Sequence, residues 1–185
     1  MSIHLILGGA RSGKSTYAEQ LAIASDLPVT YIATAQVYDD EFGQRIEHHK
    51  TRRATLPFKH WQTVEIPLNL ANTLETYAKA DECLIVDCLT LWLAQCICPD
   101  CAPPEGVAWV QERIALLETL PKLQGTIILV SNEVGMGIVP LGEINRQFQD
   151  EQGRLNQAVA KIANKVSFIA AGLPIQLKGQ IKGQD

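Results

Sequence analysis

The densest chemistry in the sequence lies near its start. Gly8-Gly9-Ala10-Arg11-Ser12-Gly13-Lys14-Ser15 satisfies every fixed position of the phosphate-loop pattern. Gly8 and Gly13 let the backbone turn close to phosphate oxygens without a Cβ in the way, so successive N–H groups can wrap the anion. Lys14 supplies a cation at the β- and γ-phosphates, and the Ser15 hydroxyl is a natural Mg²⁺ ligand. A loop of this kind needs a second acidic group beside the metal. Asp87 directly follows the apolar run Cys83-Leu84-Ile85-Val86 and stands where that group belongs, at the end of a buried strand. Asp87 also suits capping of a helix starting near Leu89, but together with the phosphate loop the metal role leads.

A second unusual stretch is Arg45-Ile46-Glu47-His48-His49-Lys50-Thr51-Arg52, two adjacent imidazoles among cations in an acidic protein. On a helix, Arg45, His48 and Arg52 share a stripe at i, i+3 and i+7, which flanks an imidazole with guanidinium groups. Neutral imidazole is a nucleophile near pH 7. Nearby cations favour its neutral form and also neutralise charge on a phosphoryl group under attack. The competing reading is a solvated, charged helix face.

Elements must carry these groups to one place. Short apolar runs alternate with helical patterns, the signal for a mostly parallel sheet flanked by helices, an α/β phosphate-loop NTPase-like architecture. Strands are expected at His4–Leu7, Val29–Ala33, His60–Ile66, Cys83–Val86, Thr126–Val130 and Val166–Ala170. Helices are expected at Lys14–Ala24, Asp39–Arg53, Leu89–Cys96, Val107–Leu120 and Gln147–Asn164. With 185 residues, no repeat and no low-complexity linker, the whole chain, 1–185, reads as one nucleotide-binding domain.

Composition narrows the partners. Sixteen Lys+Arg against 20 Asp+Glu give a net charge of −4, which leaves no broad basic surface for nucleic acid or an anionic membrane. Apolar runs are too short to span a bilayer and Met1-Ser2-Ile3-His4 lacks a basic secretory start, so a cytoplasmic protein without a stable membrane span is expected. Five cysteines in such a chain are expected to be reduced thiols. Cys96, Cys98 and Cys101 cluster, but structural zinc takes four ligands, and a cysteine-containing loop is the simpler reading.

The motifs stand in an order that resembles the bifunctional adenosylcobinamide kinase/adenosylcobinamide-phosphate guanylyltransferase family of cobalamin assembly. They are Gly8 to Ser15, Tyr31-Ile32-Ala33-Thr34-Ala35, Asp39-Asp40-Glu41, Arg45 to Lys50 and Trp61-Gln62-Thr63-Val64-Glu65. Asn132-Glu133-Val134-Gly135-Met136-Gly137 and Gly153-Arg154-Leu155-Asn156-Gln157 complete the set. The resemblance spans nearly the whole chain. It implies phosphorylation of the aminopropanol hydroxyl of adenosylcobinamide by ATP or GTP. GMP then passes from GTP to that phosphate through a guanylylated histidine, giving adenosylcobinamide-GDP and pyrophosphate. It also implies Mg²⁺ and a homotrimer with sites near subunit boundaries.

Carried over by position, the resemblance assigns His48 the guanylylated role. It assigns nucleotide contacts to Gly8 through Ser15, to Ala33, Thr34 and Ala35, to His49, Lys50, Thr51 and Arg52, and to the acids Glu65 and Asp87. A carboxylate accepts two hydrogen bonds from the guanine N1–H and N2–H₂ edge, which gives either acid, Glu65 or Asp87, a part in base choice and leaves Asp87 open between metal and base. The segment between Lys50 and Trp61 is longer than the family pattern, which leaves the part played by Arg52 or Arg53 open. Glu133 is expected at the ligand-binding edge of the sheet, there either orienting a substrate or satisfying loop amides. Two other functions compete: a simple phosphate-loop kinase, which leaves the histidine stripe unused, and a nucleotide switch, for which the chain has no Asn-Lys-x-Asp guanine motif.

Overall fold

The computed structural model describes residues 1–35, 61–66, 68–97 and 109–179. Among them, seven strands form one sheet in the order β3-β2-β4-β5-β1-β6-β7. The strands are β1 (Ser2–Gly8), β2 (Val29–Ala33), β3 (Trp61–Glu65), β4 (Cys83–Asp87), β5 (Thr126–Asn132), β6 (Lys165–Ala170) and β7 (Leu173–Lys178). All neighbouring pairs run parallel except β6 and β7. The helices are α1 (Lys14–Ala24), α2 (Leu70–Tyr77), α3 (Leu89–Ile97), α4 (Trp109–Thr119) and α5 (Glu143–Ile162).

The sheet's two faces bury different residues of the same strands, because side chains alternate along a strand. From β1, Ile3, Leu5 and Leu7 face a core shared with Leu74 of α2, Leu89 and Trp92 of α3, Leu116 of α4 and Leu155 of α5. Ile6 faces the other way, onto Ala18 and Ala22 of α1. Strands covered on both faces read as unbroken apolar runs, which is why Cys83–Val86 and Thr126–Val130 were visible as strands. Trp92 is fully buried and meets Trp109 edge-on at 5.3 Å, fixing α3 against α4.

The expected architecture is present, with two additions. Helix α2 was not foreseen: it has only eight residues, and it begins after Asn69, whose backbone is left-handed (φ 56°), so no ordinary cap marks it. Strand β7 was also not foreseen. It carries Pro174, and its Leu173, Ile175 and Leu177 are exposed, so no buried stripe announces it. The expected strand at His60–Ile66 is β3, an edge strand paired with β2. The expected helix at Asp39–Arg53 lies outside the described residues.

A polar group sits inside this apolar sheet. His4 of β1 is 7% exposed, with Nε2 2.8 Å from the Ser167 hydroxyl, and Ser167 donates in turn to Gln176 Oε1 at 3.1 Å. An amide oxygen only accepts, so the hydroxyl's single hydrogen is committed and the histidine must donate from Nε2 as the neutral ring. Burial, helped by the positive charge of Lys165, pushes the His4 pKa down to about 4.

Because the folded pKa lies below the ordinary 6.5, the unfolded chain binds a proton more readily throughout the interval between them. His4 therefore contributes its full stability above pH 6.5 and loses it as pH falls towards 4, by about 3 kcal/mol at 1.36 kcal/mol per pKa unit. Denaturant unfolding measured from pH 7 to pH 4 should show a steeper loss for the wild type than for His4→Gln. Parallel profiles would refute this.

Candidate active site

The phosphate loop joins β1 to α1, and its geometry explains its glycines. Gly8 has φ 153°, and a Cβ there would meet the Ile169 carbonyl oxygen at 2.5 Å and Ser12 Oγ at 2.7 Å. Gly13, at φ 101°, opens α1. Arg11 is also left-handed, at φ 56°. Alternation of backbone hand over these few residues turns consecutive N–H groups towards one concavity, where the N-terminus of α1 adds the positive end of its dipole. The Ser12 hydroxyl is buried and has no partner among the described residues, an unsatisfied group of the kind a phosphate oxygen would complete.

Lys14 opens the helix yet is only 7% exposed, and its amine donates to the Gly9 carbonyl at 2.5 Å, arching over the loop. Burial pulls its pKa below the ordinary lysine value, opposed by Cys88 and Asp87. Burial pushes the Cys88 thiol up to about 12. One Asp87 oxygen accepts from the Tyr31 hydroxyl at 2.7 Å, and the Tyr31 ring packs on Trp61 with centroids 5.9 Å apart. Trp61 of β3 thus steadies Tyr31 of β2, which holds the acid at the end of β4. Ser15 is half-buried in the first turn of α1.

Strand register sets the rest. Ala33 of β2 pairs with Glu65 on one side and with Asp87 on the other, so the three form a row across the carboxyl edge of the sheet. Thr34, next in the chain, is fully buried. Its hydroxyl donates to the Cys88 carbonyl at 2.7 Å and accepts from the Cys88 N–H at 2.9 Å. The Thr34 carbonyl also accepts from Gln95 of α3. With its side chain so occupied, Thr34 locks Asp87 to β2, and half-buried Ala33 and Ala35 flank that lock. His48, His49, Lys50, Thr51 and Arg52 lie outside the described residues, as do Cys98 and Cys101. Cys96 is buried in α3, and burial with nearby Glu112 pushes its thiol up to about 12.

The segment after β5 reaches the same edge. The Glu133 N–H donates to the Gly8 carbonyl at 3.0 Å, tying it to the start of the phosphate loop. The Glu133 carboxylate accepts from the Gly135 N–H at 2.6 Å, the loop-satisfying role. From α5, Gln149 donates to the Val134 carbonyl at 3.0 Å, and Asn156 donates to the Asn132 carbonyl at 3.0 Å. Fully buried Gln152 donates to Ser131 Oγ at 2.9 Å and Asn156 Oδ1 at 3.0 Å. Tyr31, Gln95 and Gln152 were assigned no role from sequence. Gln152 departs visibly from its helix's apolar stripe, a polar residue one turn before Leu155 and Asn156, and that is the only signal it gave.

Comparison with known proteins gives a consistent result. The family model described as cobinamide kinase / cobinamide phosphate guanyltransferase matches residues 4–177. The bifunctional adenosylcobalamin biosynthesis protein CobP of Pseudomonas aeruginosa is 55% identical over 177 residues, 95% of this chain and 97% of the relative. CobU of Escherichia coli, also named a bifunctional adenosylcobalamin biosynthesis protein, is 36% identical over 94% of this chain and 98% of its own. Among solved structures, a KaiC-like protein from Pyrococcus horikoshii aligns with 90% of this chain and 70% of its own, at 15% identity and a TM-score of 0.49.

The Thr34 lock is testable through stability. Thr34→Val keeps the shape but strands the buried Cys88 N–H and loses the bond to its carbonyl, a cost of about 2 kcal/mol. Thr34→Ser retains the hydroxyl and should cost clearly less in denaturant unfolding. A loss in Thr34→Val no greater than about 0.5 kcal/mol would show that the hydroxyl does not hold this lock.

Proposed function

The chain belongs to the cobinamide kinase / cobinamide phosphate guanyltransferase family, and from that premise we propose that residues 1–185 act as one nucleotide-binding domain running two successive transfers at one sheet edge. In the first, the aminopropanol hydroxyl oxygen of adenosylcobinamide attacks the γ-phosphorus of ATP or GTP. The bond to the bridging oxygen breaks, the hydroxyl loses its proton, and a nucleoside diphosphate departs. In the second, an imidazole nitrogen of His48 attacks the α-phosphorus of GTP and pyrophosphate leaves. A phosphate oxygen of the acceptor then displaces the imidazole, giving adenosylcobinamide-GDP and freeing the histidine.

The observation that carries this reading is the meeting, at one edge, of the phosphate loop with the row Glu65–Ala33–Asp87. Gly8, Gly9, Ala10, Arg11, Ser12 and Gly13 supply backbone donors, and Lys14 the cation for charge on the γ-phosphoryl or the departing pyrophosphate. Ser15 and Asp87 are hard oxygen donors of the kind Mg²⁺ takes, together with substrate phosphates. Bound there, the ion would neutralise phosphate charge. Glu65, across Ala33 from Asp87, is our candidate for the guanine N1–H and N2–H₂ edge. Ala33, Thr34 and Ala35, with His49, Lys50, Thr51 and Arg52, complete the proposed nucleotide contacts.

The proposed assembly is a homotrimer in the cytoplasm. Free, buried thiols at Cys83, Cys88 and Cys96 agree with a reducing compartment. No helix among the described residues is long and apolar enough to cross a membrane. Ile138 and Leu141, 96% and 90% exposed, head an apolar run with Val139 that suits a subunit boundary. Light scattering should give the mass of three chains, and Ile138→Asp should lower it. A fully active monomer would overturn the trimer.

His48→Asn should abolish the covalent GMP label from α-phosphate-tagged GTP while leaving appreciable phosphorylation of adenosylcobinamide. Lys14→Ala should slow both transfers by about 10²–10³. Label surviving in His48→Asn would mean another residue takes GMP, and wild-type protein that phosphorylates but never labels would be a simple kinase.

A further inference from the structure

Two motifs far apart in sequence, Asn132 to Gly137 and Gly153 to Gln157, have no part in the nucleotide chemistry above, yet they enclose one space. A cavity of about 550 Å³ lies between α5, the loop after β5 and the β1-β6-β7 part of the sheet. Gly153, Asn156, Gln157 and Ala160 line it from α5, at i, i+3, i+4 and i+7, a single helical face. Glu133 and Met136 line it from the loop. Leu7, Val166 and Leu177 give it an apolar floor and wall.

Three features point to a ligand. Glycine inside a helix costs about 1 kcal/mol relative to alanine, yet among the described residues nothing within 4 Å would meet a Cβ on Gly153, so no packing among them requires the missing side chain. The space over Gly153 is part of the cavity. Second, the frame is held by the buried Gln152–Ser131–Asn156 network, so the cavity's shape is set before anything enters it. Third, it abuts the phosphate loop, since Leu7 directly precedes Gly8 and Glu133 is bonded to the Gly8 carbonyl.

Its chemistry excludes a second phosphate site. Lys178, the only cation among its described lining residues, spends its amine on the Ala160 and Lys161 carbonyls at 2.9 and 3.0 Å, while Glu133 brings a carboxylate to the rim. Apolar walls with a Gln157 amide and a carboxylate suit the uncharged edge of a larger ligand, one carrying aliphatic arms that end in amides and a hydroxyl.

We infer that this cavity receives the amide-bearing periphery of the corrinoid acceptor, seating its hydroxyl arm beside the phosphate loop. The inference rests on the family reading for the identity of the acceptor. A whole corrinoid exceeds the cavity, so one edge enters and the Gly153 face lets it come close to the helix backbone.

Equilibrium dialysis of adenosylcobinamide against Gly153→Leu tests this without turnover. Leucine favours the helix and has open space ahead of it, so the fold should hold, as checked by thermal melting. The dissociation constant for adenosylcobinamide should rise at least tenfold. Gly153→Ala should give a smaller rise and Gln157→Ala a few-fold one. GTP affinity, covalent GMP labelling and the mass by light scattering should match wild type. An unchanged corrinoid affinity in both Gly153→Leu and Gln157→Ala would overturn the inference, and so would lost affinity accompanied by a changed mass, because the cavity would then be a contact between copies. Wild-type protein that binds the corrinoid but neither phosphorylates it nor labels would sink the family reading of the chemistry while leaving the cavity assignment standing.

Discussion

Parallel register is the constraint on which the rest depends. Six strands run the same way, and where β2 meets β3 and β4 the pairing keeps step residue by residue, so strand ends arrive together at one edge. Nothing in the local sequences of Glu65, Ala33 and Asp87 brings them side by side, since they are separated by tens of residues. The ladder does so: β2 and β4 are buried on both faces, where a one-residue slip would turn them inside out, and β3 pairs in step along the edge of β2. The single antiparallel strand, β7, lies at the far margin, where it closes β6 and supplies a cavity wall without disturbing that edge.

Backbone placement still leaves side chains to be aimed, and polar bonds that would be costly to break do the aiming. A hydrogen bond adds only about 1 kcal/mol net, whereas a buried group left unpaired costs about 1–3 kcal/mol, so buried bonded clusters resist rearrangement more than their bonds alone suggest. Thr34 with Cys88 holds one end of the edge, and Gln152 with Ser131 and Asn156 holds the other. Between them stands Gly8, whose backbone hand no side-chain residue takes easily and whose carbonyl receives Glu133. The phosphate loop is thus braced from β5 as well as from its own strand.

Much of this was legible because it is local. The phosphate loop is a contiguous pattern, and the helix expected at Lys14–Ala24 and the strand expected at Val29–Ala33 match α1 and β2 end to end, since glycine and proline punctuate them. Asp87 was legible through the apolar run before it. Helix α2 and strand β7 were not, one being short and started by a left-handed asparagine, the other an exposed edge without a buried stripe. Glu133 was expected at the carboxyl edge and lies there, but its bond to its own loop follows from the turn the loop makes. The cavity could not be read at all, because its walls come from β1, β6, β7, α5 and a loop, and only the sheet order reveals that these are neighbours.

Charge then divides the edge into two territories. On the α1 side, oriented N–H groups, the helix dipole and the buried Lys14 amine make a place for phosphate, with Asp87 near enough to balance the cation. On the α5 side, Glu133 and the committed amine of Lys178 leave a mostly apolar space that offers an anion no free cation among its described residues. Under the proposed reading, the same few residues around the end of β1 would give the nucleotide phosphates one side of the edge and the amide-bearing periphery of the acceptor the other. The boundary between the territories is the backbone bond from the Glu133 N–H to the Gly8 carbonyl, which fixes the rim of the cavity to the start of the phosphate loop.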